Sequence, residues 1–158
     1  IIPRHINRIE KIFSRLKDYG FKVQIKSENE SVSNSVDIVL VNYYGSVSKY
    51  LKNFNQIFIG KSILKKFENS GGQNPIDAAK MGCYIYHGPY VYNFKDIYQY
   101  LDDSKLSEKI ISFEDLAEKL INNFNLNIKP NDEKIEKLDF YSKEIFDNVI
   151  NEYSKLVK

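Results

Sequence analysis

Apolar positions along this chain recur in two rhythms that alternate from one segment to the next. Ile6, Ile9, Ile12, Phe13 and Leu16 fall three and four residues apart and stop at Tyr19-Gly20, which predicts an amphipathic helix closed by a glycine. Residues 21–26 alternate apolar with polar, as in a half-buried or edge strand, and 27–35 read as a polar loop. Asp37-Ile38-Val39-Leu40-Val41 is a short continuous apolar run, expected of a strand covered on both faces. Val47, Tyr50, Leu51 and Phe54 return to helical spacing, and Ile57-Phe58-Ile59-Gly60 reads as another buried strand. A helix is predicted over 75–80, ending at Gly82, then a strand over 83–86. The next predicted helix covers 93–101, with Phe94, Ile97, Tyr98 and Leu101 inward. Ile110-Ile111 reads as a short strand before Ser112-Phe113-Glu114-Asp115, a capping-box-like start for a helix through Phe124. Residues 132–158 read as a helical tail whose apolar face is Ile135, Leu138, Phe146, Val149, Ile150, Tyr153 and Leu156.

Strands separated by helices imply right-handed βαβ units and a parallel sheet. The predicted fold class is therefore α/β, a Rossmann-like doubly wound parallel sheet. In such sheets ligands sit beyond the carboxyl ends of the strands, so the loops after Pro3, after Gly60 and after Tyr86 are where chemistry is expected. The expected organisation is one domain over 1–158, with 132–158 as a C-terminal helical tail. The chain opens Ile1-Ile2-Pro3 without an initiator Met, and that apolar pair reads as the end of a strand whose beginning has been cut off. A fragment of a longer protein, truncated at its first strand, is the expectation.

Composition narrows the function classes. At 158 residues the chain is long enough to build a core without disulfides or metal. The single cysteine, Cys83, lies in an apolar run and reads as a buried thiol rather than a nucleophile. With two histidines, His5 and His87, no zinc cluster is expected. A net charge of +2 gives no argument for nucleic acid, and no apolar run is long enough to span a membrane. Most of the tyrosines alternate along strands or fall on helix stripes and read as packing. Tyr90 and Tyr92, beside the Gly88-Pro89 turn, are the exceptions.

The densest chemistry lies between Ser70 and Pro89. Gly71-Gly72 either lets backbone approach a ligand or simply makes a turn, and Asn74-Pro75 opens a helix whose free amides suit an anion. Asp77 sits in that helix's first turn, where the helix dipole alone favours a carboxylate. Asn74 can cap the helix, bond a ligand, or both. Arg4, after a strand end and a proline, is either a surface arginine or a bidentate phosphate ligand, and His5 either a phosphate donor or a cap.

Five blocks, taken in order, resemble a known family. Ile2-Pro3-Arg4-His5, then Asp37-Ile38-Val39-Leu40-Val41 with Tyr44-Gly45, then Phe58-Ile59-Gly60-Lys61-Ser62 are the first three. Gly71-Gly72-Gln73-Asn74-Pro75-Ile76-Asp77-Ala78-Ala79 and His87-Gly88-Pro89 with Asn93-Phe94 complete the set. Together they are similar to the nucleotide-binding half of 3-deoxy-D-manno-octulosonic acid (Kdo) transferases. The resemblance implies the C-terminal domain of a GT-B glycosyltransferase, which moves Kdo from CMP-Kdo to a lipid A precursor in lipopolysaccharide biosynthesis.

The resemblance also implies site residues. Arg4 and His5 would hold the CMP phosphate, Gly45 and Ser46 would lie in a turn against the cytosine, and Ser62, Gly71, Gly72, Gln73, Asn74, His87 and Asn93 would line the donor side, although a lone histidine after a strand, as His87 is, more often has a structural role. Asp77 stands where the family usually has a ribose-binding glutamate and is one methylene shorter. Gln73 replaces a histidine, Ser46 an acidic residue and Lys61 the second glycine of a Gly-Gly-Ser turn, while 65–70 resembles a small insertion. The family's catalytic base is a glutamate of the N-terminal acceptor domain, so no catalytic residue is expected in this chain, which alone would bind donor without turnover. No metal or other cofactor is implied; CMP-Kdo enters as substrate. The implied partners are CMP-Kdo, the lipid A precursor through the acceptor domain, and the membrane surface, with no nucleic acid. The full protein would work at the cytoplasmic face of the bacterial inner membrane, the fragment itself being soluble. Two alternatives remain open: a noncatalytic nucleotide-binding or scaffold module, and a GT-B transferase using a UDP-sugar.

Overall fold

A computed structural model describes residues 1–45 and 47–126, together with Glu136, Leu138, Lys143, Asp147, Ile150, Asn151, Ser154 and Lys155. The chain divides into two compact units, Ile1–Tyr50 and Leu51–Lys158.

In the first unit, a 3-10 turn over Ile6–Arg8 leads into helix α1, Ile9–Asp18. The helix closes as its sequence predicts: Gly20 takes φ +86°, its N–H donates to Lys17 O, and the Phe21 N–H donates to Leu16 O. That pair of bonds is the Schellman arrangement, which needs a left-handed residue after the cap. Strand β1 (Val23–Lys26) then pairs in parallel with β2 (Ile38–Val41), Val23 opposite Ile38 and Lys26 opposite Val41. On the other edge of β2, the Ile1 amine donates to Val39 O at 2.7 Å and the Val41 N–H donates to Ile1 O at 3.0 Å, the two bonds of a parallel ladder around Leu40. Flanked on both edges, Leu40 and Val41 are buried, as their continuous apolar run predicts. The polar loop between the strands is not free either, since Gln24 donates to Ser31 O and accepts from the Ser33 N–H.

Helix α2 (Val47–Leu51) crosses from the first unit into the second and ends earlier than expected, leaving Phe54 exposed beyond it. The second unit is a parallel three-stranded sheet in the order β3 (Gln56–Ile59), β4 (Tyr84–His87), β5 (Ser107–Lys109). Its helices are α3 (Ile76–Lys80), α4 (Lys95–Asp103), which follows a 3-10 turn at Tyr92–Phe94, and α5 (Phe113–Leu126). Helices cover both faces of β4. Ile85 and His87 point to the side of α4, where the Tyr98 ring centre lies 4.4 Å from that of His87. Tyr86 points the other way and accepts a hydrogen bond from Asn123 of α5. The core on the α4 side gathers Ala78, Ala79, Cys83, Ile85, Tyr98, Leu101, Leu106 and Leu138.

Two expectations are corrected. The strand expected at Ile110-Ile111 is three polar residues earlier, Ser107-Glu108-Lys109, because α4 ends at Asp103 and Leu106 O already accepts the Ile85 N–H. Ile110 is buried after the strand, whereas Ile111 is 80% exposed. Strand β3, expected to be buried, is half-buried along its length because it is an outer strand of this three-stranded order. The capping-box-like start is present in part: Ser112 Oγ accepts from the Asp115 N–H, while Asp115 accepts from the N–H of Ile111, one residue before Ser112. Of the tail's expected apolar face, Leu138 is buried and Ile150 is 46% exposed; Ile135, Phe146, Val149, Tyr153 and Leu156 lie outside the described residues.

Candidate functional site

Beyond the carboxyl ends of β3 and β4, three loops tie into one knot. Ser62 is its fastener. The buried Ser62 hydroxyl donates to Ile59 O at 2.7 Å and accepts the Gly88 N–H at 2.9 Å, while Ser62 O accepts the Tyr90 N–H. The Gly72 N–H donates to Lys61 O, the Asn93 N–H to Gly71 O, and the Asn93 Nδ2 to Ser70 O at 3.1 Å. The loops after β3, before α3 and after β4 are thereby joined, with the 3-10 turns at Lys65–Phe67 and Tyr92–Phe94 inside them.

The glycines do here what only glycine can, though toward a different neighbour than the sequence suggests. A Cβ on Gly71 would lie 2.1 Å from Tyr90 O, and one on Gly88 would lie 2.2 Å from Ser62 O. Gly72 takes φ +83° and its missing Cβ faces Val91 at 3.0 Å. The close approach read from Gly71-Gly72 is to the chain's own backbone.

Around this knot the polar side chains divide into those used internally and those turned outward. Asn74 Oδ1 accepts the N–H of Ile76, the first residue of α3, at 3.0 Å, and the residue stays exposed. Pro75 is the buried residue before α3 rather than its first helical position. Asp77 is exposed in the first turn of α3. Gln73 is half-buried and its carbonyl accepts the Tyr98 hydroxyl at 2.8 Å. Tyr92 projects outward at 65% exposure, and Tyr90 is half-buried.

In the first unit, Arg4 and His5 are exposed just before the Ile6–Arg8 turn, and the His5 side chain makes no capping bond to it. Gly45 is exposed after β2 with φ +74°. Ser46 lies outside the described residues.

No family model matches the chain. Over 120 residues it is 29% identical to the 3-deoxy-D-manno-octulosonic acid transferase of Rickettsia felis, covering 76% of this chain and 25% of that protein. The enzyme of the same name from Haemophilus influenzae is 24% identical over 135 residues, covering 85% of this chain and 30% of that one. The Aquifex aeolicus counterpart is 23% identical over 120 residues, with 31% of its length covered. This chain resembles the Kdo transferases. It spans between a quarter and a third of the length of these relatives. In fold it matches the C-terminal CMP-Kdo binding domain of WaaA from Acinetobacter baumannii, with a TM-score of 0.66 at 19% identity over 87% of this chain and 72% of that one. The α/β, Rossmann-like expectation is borne out by that match.

His87 is turned into the fold, as the structural alternative for this residue has it. Its side chain is buried, with Nε2 3.0 Å from Asp102 Oδ1 and Nδ1 2.8 Å from Gly88 O. Both ring nitrogens therefore face acceptors inside the unit. Ser107 donates to the same Asp102 oxygen. Burial alone would raise the Asp102 carboxyl, but hydrogen bonds from His87 and Ser107 and the charges of His87 and Lys109 outweigh it and hold the group below its usual 3.8. Asp102 and Ser107 were not legible as partners of His87; the one hint is a carboxylate directly after the apolar Tyr98-Leu101 stripe of α4.

Cys83 is the inert thiol its surroundings predict. Its Sγ donates to Leu51 O and Phe54 O, and burial pushes its pKa up to about 11. Among the described residues no group of three His, Cys, Asp or Glu side chains is placed to hold a metal ion, and no helix is long and apolar enough to cross a membrane.

Proposed function

We propose that this chain is the donor-nucleotide-binding domain of a glycosyltransferase that moves Kdo from CMP-Kdo to a lipid A precursor in lipopolysaccharide biosynthesis. The observation that carries the reading is the similarity to Kdo transferases over 76–85% of the chain, with five motif blocks in the family's order. The knotted loops beyond β3 and β4 support it, since they stand where doubly wound sheets take their ligands.

In this reading Arg4 grips the departing CMP phosphate with its guanidinium fork, and His5 assists. Stabilising that leaving group is the domain's share of the chemistry. Asp77, outward on the first turn of α3, reaches toward the ribose, and Gly45 lets backbone lie close to the base. Ser62, Gly71, Gly72 and Asn93 act chiefly by fixing the loops that present Gln73, Asn74 and Asp77. The base that deprotonates the acceptor hydroxyl belongs to an acceptor domain, as do the lipid A precursor and the membrane contact. No metal enters the proposed reaction, and the full enzyme would act at the cytoplasmic face of the inner membrane.

Calorimetric titration of the chain with CMP, UMP and UDP tests the reading. CMP binding that Arg4→Ala abolishes is the expected result. Preference for UDP would point instead to a UDP-sugar transferase, and no binding to any of the three would leave a scaffold module.

A further inference from the structure

Two described residues other than glycine have a left-handed backbone, Lys61 at φ +62° and Lys105 at φ +56°. An L-residue resists this conformation because its Cβ crowds the following carbonyl. For Lys105 the reason is plain. It follows the cap of α4, its N–H donates to Asp102 O and the Leu106 N–H donates to Leu101 O, so it completes a Schellman end like those at Gly20 and Gly82.

Lys61 ends no helix. It stands two residues past β3, between Gly60 and the buried Ser62, with its carbonyl fixed by the Gly72 N–H. A strained non-glycine residue in a binding loop is a reason to ask what its side chain does. The Lys61 Nζ lies 5.8 Å from the centre of the Phe67 ring, and the Lys66 Nζ lies 5.1 Å from the same ring. Phe67 is itself anchored in the knot, since a Cβ on Gly71 would meet Phe67 O at 2.6 Å. Among the described residues neither lysine has a carboxylate partner. Two cations therefore lie against one ring with no described carboxylate to neutralise them, which leaves positive charge there for an anion to meet.

We infer that Lys61 and Lys66 form a cationic subsite, on the Phe67 ring at the mouth of the loop knot, for an oxyanion of the bound nucleotide-sugar. The inference rests on the proposed donor-binding function and adds a subsite to it. The oxyanion is either the nucleotide phosphate or the carboxylate of an attached sugar acid, since an ammonium group attracts both alike.

The test is calorimetric titration of the chain and of Lys61→Gly and Lys66→Gln, using CMP, which carries the phosphate alone, and a CMP-linked sialic acid, which carries phosphate and carboxylate. Melting temperatures are measured beside it. Lys61→Gly suits the backbone, so its melting temperature should hold or rise; a purely structural residue would then leave affinity intact. The expected result is affinity weakened about two- to fivefold in each variant, as for one screened charge contact. Loss for both ligands identifies the phosphate, and loss for the sugar acid alone identifies the carboxylate. Unchanged affinity for both ligands overturns the subsite while leaving the donor-binding reading standing. Failure of the unaltered chain to bind CMP at all overturns that reading and the subsite with it.

Discussion

His87 Nε2 lies 3.0 Å from Asp102 Oδ1, tying the last residue of β4 to the last turn of α4 directly beneath the Gly88-Pro89 turn. Because the partners hold the Asp102 carboxyl below 3.8, its contribution to stability is complete above that value and is lost as pH falls through the still lower folded-state pKa. Melting temperature followed from about pH 7 to about pH 3 should therefore fall less steeply at the acid end for Asp102→Asn than for the unaltered chain. At neutral pH the same variant should be about 1–2 kcal/mol less stable, since a charge-assisted bond is replaced by a neutral one. Parallel acid limbs in the two proteins would mean that the pair contributes nothing.

Glycine substitutions separate close approach from mere presence in a turn. Gly88→Ala would put a Cβ 2.2 Å from Ser62 O and 2.4 Å from Ile63 Cα, backbone atoms that Ser62's two hydrogen bonds hold in place. A loss of about 3 kcal/mol is expected from such overpacking. Gly60→Ala meets nothing within 4 Å and should stay within about 0.5 kcal/mol of the unaltered chain. Denaturant melts of the two variants make the comparison.

Lys105→Gly should stabilise. Lys105 is exposed, so little packing is lost, and its φ of +56° is one that glycine adopts freely. Relief of the left-handed strain, set against glycine's greater freedom in the unfolded chain, leaves a gain of about 0.5–1 kcal/mol, or roughly 1–4 °C in melting temperature. A lower melting temperature would contradict the assignment of Lys105 to the helix end.

Periodicity made the elements legible where one residue type reports one environment. α1 with its stop at Gly20, the doubly flanked run of β2, and the Tyr98-Leu101 stripe of α4 all stand where the pattern puts them. It failed at β5, whose Ser-Glu-Lys sequence carries no apolar rhythm because that strand is held by backbone pairing to β4. The knot was half legible. Its glycines were conspicuous, but that Gly71 abuts Tyr90 and Gly88 abuts Ser62 depends on loops brought together only by the parallel order of β3 and β4. His87 shows the same limit, because its partner lies fifteen residues on, across a turn and a helix.

The most direct probe of the donor reading is to lengthen Asp77. The residue is exposed in the first turn of α3, downstream of Asn74, whose side chain is already occupied with the Ile76 N–H. In the proposed donor reading Asp77 stands where a ribose-binding glutamate is expected. A carboxylate one methylene short has to reach the sugar through water or leave it uncontacted. Asp77→Glu should thus tighten CMP binding by about three- to tenfold, the worth of one hydrogen bond to a charged acceptor in a partly wet site. Fold should be unaffected, since both residues suit a helix's first turn. The decisive arm is 2′-deoxy-CMP: if the gain comes from the ribose 2′-hydroxyl, the variant and the unaltered chain will bind the deoxynucleotide alike. An equal gain for both nucleotides would locate the longer side chain's effect away from the 2′-hydroxyl.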